Sequence, residues 1–301
     1  MRWRGNPIVK KDLQVTARSM RLSWGLFAYE AVLAMTFLLA LAVIQETGSS
    51  FYSDGNVYGY LIYLFPVLSI AQVCIVALIV PVITASAISG EKERQTFDIM
   101  LTTCMSPFSI VLGKVVSAVL RILFFVTAGM PIMALAFVVG GLSWSYLFYF
   151  VLTIILLSLL SGSIGILCSS ICRRSITAVV LSYVFYFVIY GLTFLPVLLK
   201  VLLSSVENAG ETMLCLLINP IVFYEEFFML LMTGESAFGG SGFSFAKGDV
   251  GIITYYLAQG RVWMFLSAGC ILLLSFLLLL MAAWKVNPMH SSAGKKRKGK
   301  E

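Results

Sequence analysis

Runs of apolar residues longer than the roughly 18 that mark a spanning helix recur along this chain, and they decide its class. Six are read as spans, over residues 22–44, 58–88, 110–139, 145–171, 175–203 and 262–284. The apolar residues come as continuous blocks and not as one face of a helix or strand, so the fold expected is all-α with lipid as its solvent. Composition agrees: only 12% of the residues are charged, against about a quarter in a soluble domain.

Charge then orients the spans. Arg2, Arg4, Lys10, Lys11, Arg18 and Arg21 precede the first span. Lys92, Arg94, Lys114 and Arg121 lie at or beside the link between the second and third, and Arg173 and Arg174 between the fourth and fifth. Lys285, Lys295, Lys296, Arg297, Lys298 and Lys300 follow the sixth. Eighteen of the 21 basic residues thus fall on one side, leaving Lys200, Lys247 and Arg261 on the other. The positive-inside rule assigns the basic side, and with it both termini, to the cytoplasm. An even number of spans requires the termini to share a side. The net charge of +7 therefore reads as a membrane-topology signal and not as a nucleic-acid site, and residues 285–301 as a basic cytoplasmic tail. The opening MRWRGNPIVKKDL does not read as a cleaved leader, because the apolar run after it is long enough to span.

Within residues 1–21, the stretch 6–21 is expected to form an amphipathic helix on the membrane surface, with Asn6 as cap and Pro7 at the first helical position. The second run is about 46 Å long as a helix, longer than the roughly 30 Å hydrocarbon core. Pro66 and Pro81 are its expected kinks. Ser89-Gly90 is expected to end it, and Ser106-Pro107 to open the next helix. Between them Phe97, Met100, Leu101, Cys104 and Met105 follow helical spacing, behind a mixed-charge cluster of Glu91, Lys92, Glu93 and Arg94. A short helix with an apolar stripe is expected over about 91–105. It fits a partner's groove or the membrane surface.

Nearly 60 residues separate the fifth and sixth spans. There 213–218 and 221–232 are apolar but too short to cross, with Asn219-Pro220 as a cap-and-start signal between them. A helical pair dipping into the outer leaflet is expected over 213–232. Glu225 and Glu226 in this pair, and Glu30 inside the first span, are candidate pathway or gate residues, because a carboxylate in the membrane zone is expensive.

Catalytic and metal chemistry find no carrier. The one internal Gly-Lys, Gly113-Lys114, has Phe108 where a phosphate-binding loop requires its first glycine. The sole histidine, His290, sits in the polar tail, and the six cysteines show no ligand spacing. Cys168 and Cys172, a helical turn apart, read as packing residues. No catalytic residue, metal or cofactor is assigned to this chain. Any active transport must draw its energy from a partner or an ion gradient.

The stretch PVITASAISGEKERQTFDIMLTTCMSPFSIVLGK, Pro81 to Lys114, resembles the permease subunits of type-2 ABC exporters, where a second span runs into a similar Glu-Lys-Glu-Arg, a threonine and a leucine-rich helix ending Ser-Pro. NPIVKKDL at the start and NPIVFYEEFF before the last span are similar to the family's pattern too. The resemblance implies a six-span permease domain over 22–284 that pairs with a second copy or a paralogous permease and docks a separate ABC ATPase, which binds the ATP and Mg. It implies that 91–105 is the coupling helix, with Glu91, Lys92, Glu93, Arg94, Thr96, Phe97, Met100 and Leu101 at the ATPase, and that Arg173 and Arg174 form a second cytoplasmic contact. Residues 213–232 become a re-entrant hairpin capping the pathway. Met100 and Cys104-Met105 stand where leucine and small or proline residues are common in the family. The competing expectations are an ion-coupled secondary transporter, against which no internal repeat is found, and a membrane scaffold without transport activity.

Overall fold

The computed structural model describes residues 7–51, 61–96, 107–140, 144–203, 215–232 and 260–286. Among these residues the fold is all-helical and without strands, and six helices are long and apolar enough to cross a membrane.

A surface helix, Pro7–Ala17, opens the chain, with proline at the first position, where its missing N–H costs nothing. It breaks at Arg18-Ser19, and the first span follows in Met20–Phe51. The second span lies in Leu64–Glu93, the third in Pro107–Gly140 and the fourth in Trp144–Ile171. The fifth begins as Ser175–Tyr186, passes through a π-helical turn, Phe187–Gly191, and a 3₁₀ turn, Leu192–Phe194, and resumes as Leu195–Leu203. A 3₁₀ turn at 215–218 leads to an outer helix, Pro220–Met232, and the sixth span lies in Gly260–Val286.

The fourth span is the axis of the bundle. Seventy-two per cent of its most apolar window is buried, against 17% for the first and fifth spans, so those two leave most of their apolar surface for lipid or a partner chain. Its closest neighbours are the second and sixth spans. Close approach is possible because its inner half reads Ser-Gly-Ser-Ile-Gly over 161–165. Between lipid-soluble helices there is no water to expel, so contact rests on backbone proximity and packing. Gly165 is the tightest point: a Cβ there would lie 1.9 Å from Thr84 Oγ1 and 3.2 Å from the Ala85 nitrogen of the second span. Farther along, Phe65 and Phe150 meet edge to face at 5.8 Å in the main core, with Leu68, Leu160 and Ile164 fully enclosed.

Three expectations need correction. The second helix does not stop at Ser89-Gly90 but continues to Glu93. One helical glycine costs only about 1 kcal/mol, and the turn beyond it is held by side-chain bonds described below. Pro66 falls in the first turn of that helix, where no intrahelical acceptor awaits its nitrogen, so only Pro81 lies in the interior. The fifth span is not one regular α-helix. Pro196 has no N–H to give the Leu192 carbonyl, which accepts from the Leu195 N–H instead, and the chain ahead of it runs through π and 3₁₀ turns.

Candidate functional site

The basic ends of the second to fifth spans, with the surface helix, are joined by a polar network. It starts at the end of the second helix, which closes as a Schellman motif. The N–H of Thr96 donates to the Glu91 carbonyl at 3.0 Å and that of Gln95 to the Lys92 carbonyl at 3.1 Å. This pairing requires a left-handed residue after the cap, and Gln95 supplies it with φ 58°. Glycine would adopt that conformation without cost, whereas glutamine there stores about 1 kcal/mol. Glu91, Lys92 and Glu93 consequently belong to the second span's helix, and any separate helix toward 105 must begin after the Gln95 turn. Residues 97–106, with Phe97, Met100 and Leu101, lie outside the described residues.

Each of the three charged residues before that turn reaches a different element. Glu91 accepts from Lys114 Nζ of the third span at 2.7 Å. Lys114, only 5% exposed, also donates to Asp12 of the surface helix at 3.0 Å, and Arg121 approaches the same carboxylate at 3.9 Å. Ser117 Oγ adds a hydrogen bond to Asp12 at 3.3 Å. A nearly buried ammonium between two carboxylates is thereby compensated.

Lys92 points toward the fourth span. Its Nζ donates to the Ser170 carbonyl and lies 3.5 Å from those of Ser169 and Cys172. These are carbonyls of the last helical turn and just beyond, where a helix lacks internal donors and carries its negative dipole end. Ser169 returns the contact: its Oγ accepts from the N–H groups of Ile88 at 2.9 Å and Ser89 at 2.8 Å, inside the second helix's own ladder.

Glu93 reaches the fifth span. Its Oε2 accepts from Ser175 Oγ at 2.8 Å and from the Ser175 N–H at 3.3 Å, so a carboxylate from another helix caps the first turn of this one. Arg174 occupies the cap position in extended backbone. Arg94, Arg173 and Arg174 are exposed on the same end. The links after the second and fourth spans, remote in sequence, are thus tied at their bases by Lys92 and Glu93.

The acids proposed for a pathway do not join this network. Glu30 is half-buried in the first span, and its Oε1 is enclosed without a hydrogen-bond partner among the described residues. Glu225 is exposed while Glu226 is fully buried and partnered, so only the second of these neighbours is turned into the protein.

The outer helix is itself anchored to three spans. Asn219, fully buried, accepts from the Ile221 N–H at 2.9 Å through Oδ1 and so caps the helix. Its Nδ2 donates to the Tyr190 carbonyl at 3.0 Å and to Thr193 Oγ1 at 2.7 Å, supplying donors where the fifth span's ladder is broken. Tyr224 donates to Ser69 Oγ of the second span at 2.6 Å, and Ser267 of the sixth span to the Leu217 carbonyl at 2.7 Å. Beneath this helix a cavity of about 170 Å³ is bounded by Cys74, Ala77, Leu157, Ser161, Tyr190 and Tyr224.

Glu91, Lys92 and Glu93 were legible as a charged cluster, but their partners were not. Lys114 drew notice as a basic residue near a span end and as the lysine of a Gly-Lys pair that is no phosphate loop, but not as the partner of Glu91, and Asp12, Ser117, Ser169 and Ser175 carried no signal beyond their polarity. Asn219 was legible as a cap; its second role, toward Tyr190, depends on a break that the apolar run concealed.

No curated protein matches this chain. The family model described as ABC-2 family transporter protein matches residues 7–284, from the first residue of the surface helix to the last turns of the sixth span. With the six spanning helices and the jointed basic end, the match makes this multi-pass membrane protein an ABC transporter permease, a member of the ABC-2 family.

Proposed function

We propose that the chain is the permease subunit of an ATP-driven exporter, that its basic end faces the cytoplasm, and that a separate ABC ATPase docks on the segment after Gln95 and on the Arg173-Arg174 turn. Family membership supports association with an ATPase. The observation that adds most is the double tie between the two links: Lys92 on the carbonyls ending the fourth span, and Glu93 capping the fifth. A push on either link reaches four spans and the surface helix together, as a coupling element must deliver it.

In this reading Phe97, Met100 and Leu101 form the apolar centre of the docking contact, with Arg94, Thr96, Arg173 and Arg174 at its rim. Glu91, Lys92 and Glu93 act behind it, as anchors of the frame. The ATPase moves the frame only if its nucleotide-bound and nucleotide-free forms bind this surface with different affinity. The first and fifth spans, the least buried, present apolar surface to a second permease. Glu30, on the first of them, meets that partner. The outer helix, stitched to the second, fifth and sixth spans, closes the far end of the pathway.

Two measurements test this. Cysteines placed at Ser53 and Ser241 react with an impermeant thiol reagent in intact cells, and one at Ser292 does not; labelling at Ser292 from outside would reverse the orientation and remove the docking surface. The chain, gently solubilised, brings down an ATPase with a phosphate-binding loop; an ion-coupled carrier or a scaffold would bring none and would transport, or assemble, without ATP.

A further inference from the structure

The surface helix has a second face. Its only carboxylate, Asp12, is turned onto Lys114 and Arg121 of the third span. The face away from that contact carries Lys10, Lys11 and Gln14, with Arg18 in the turn just past the helix, all exposed, around a shallow groove of about 300 Å³ that Val15 completes. Three cations therefore share one face from which the helix's own negative charge has been withdrawn.

The position of this face relative to the bilayer follows from what comes next. Met20 is 77% exposed, Val15 65%, and Trp24 and Phe27 at the start of the first span 71% and 67%, with the two rings edge to face at 6.3 Å. An exposed tryptophan at the beginning of a spanning helix belongs at headgroup level, where its ring meets acyl chains and its N–H meets water. Lys10, Lys11 and Arg18 then lie at the level of lipid phosphates, with Val15 and Met20 beside them for the acyl boundary. The three cations match an anionic headgroup, and three clustered positive charges on and just past a helix anchored through Asp12 favour a phosphate diester carrying net negative charge over a zwitterion.

We propose that this face is a binding site for anionic phospholipid in the leaflet on the basic side, formed by Lys10, Lys11 and Arg18 with Gln14 as a neutral donor. The bound headgroup pins the outer side of the surface helix while Asp12 pins its inner side, so lipid composition sets how firmly the Asp12–Lys114–Glu91 joint is held. Neither the ATPase nor transport enters this inference, so its failure would leave the permease reading untouched.

The test uses the full chain, purified in neutral detergent and stripped of lipid, with the melting midpoint followed as lipid is added. Phosphatidylglycerol raises the midpoint, at lower concentration than phosphatidylcholine, and raising the salt concentration weakens the response. Replacing Lys10, Lys11 and Arg18 by glutamine one after another moves half-saturation upward by roughly fivefold per charge. The same replacement of Arg261, at the opposite end, leaves it in place. Equal responses to the two lipids, or an unshifted triple variant, would overturn the site. Saturation by inorganic phosphate at the lipid's concentration would overturn the lipid assignment. So would a triple variant that keeps its lipid response but loses the co-purifying ATPase, which would assign the face to the protein partner.

Discussion

Lys114 is the residue on which most of the frame converges. It is nearly buried, lies between Asp12 and Glu91, and belongs to a third helix. Replacing it with methionine keeps the volume and leaves two carboxylates facing each other. The expected loss is about 3 kcal/mol, at the lower edge of values for broken buried pairs because both acids retain some water. Asp12→Asn is milder, about 1–2 kcal/mol, since Glu91 still compensates the ammonium. Thermal melting in detergent ranks the three proteins; a Lys114→Met chain as stable as the parent would mean that the charges are held by solvent and not by one another. Gly165 offers a second test at this scale. Alanine there meets Thr84 and the second span's backbone and should cost about 3 kcal/mol through overpacking. At Gly162 the nearest atoms are 3.7 Å away, so alanine should be neutral, or stabilising by up to about 1 kcal/mol through helix propensity. If both substitutions behave alike, the close approach of the second and fourth spans is not where it is described. Sequence showed that the fourth span holds small residues but not which of them touches a neighbour, because that depends on the rotation of a helix whose surroundings are apolar on every side.

Elements were legible to very different degrees. Long apolar runs announce spanning helices whatever their order in space, and the six runs overlap the six helices. Interruptions inside a run were harder. Gly191 and Pro196 stand within the fifth run, yet hydropathy passes over them, and the π turn that ends at Gly191 and the 3₁₀ turn that follows it came to light only in the structure. The reverse happened at Ser89-Gly90, where a small residue pair suggested an end and Lys92, Ser169 and Glu91 carry the helix on to Glu93. Distant partners decide such cases, and one sequence does not name them. Asn219 joins the two outer irregular elements, so Asn219→Ala should free both. The expected cost is about 2 kcal/mol, from a lost cap and a buried carbonyl left without its donor. Backbone amides of 188–194 and 220–224 should exchange faster with deuterium while those of the fourth span do not change. Exchange unaltered in both segments would show that Asn219 caps nothing that matters.

At the scale of the whole molecule, the chain divides into an apolar bundle with lipid around it and a jointed polar end where five elements meet. The fold class was legible because lipid imposes it: every backbone polar group must be satisfied within the segment, and long apolar helices satisfy that requirement. The joint was legible only in its charged residues, and the docking role rests on the stripe of Phe97, Met100 and Leu101 beyond the Gln95 turn. The measurement that bears most directly on it is co-purification of the chain with its ATPase, read together with ATP hydrolysis, for Phe97→Asp and Arg94→Ala beside the parent. Phe97→Asp should insert and fold normally yet lose the ATPase, because a carboxylate pressed into an apolar groove costs several kcal/mol. Arg94→Ala, at an exposed rim, should weaken binding by about 1 kcal/mol or less. A Phe97→Asp chain that retains its ATPase at parental affinity and sustains full transport would contradict the account, and the segment after Gln95 would then be a helix resting on lipid.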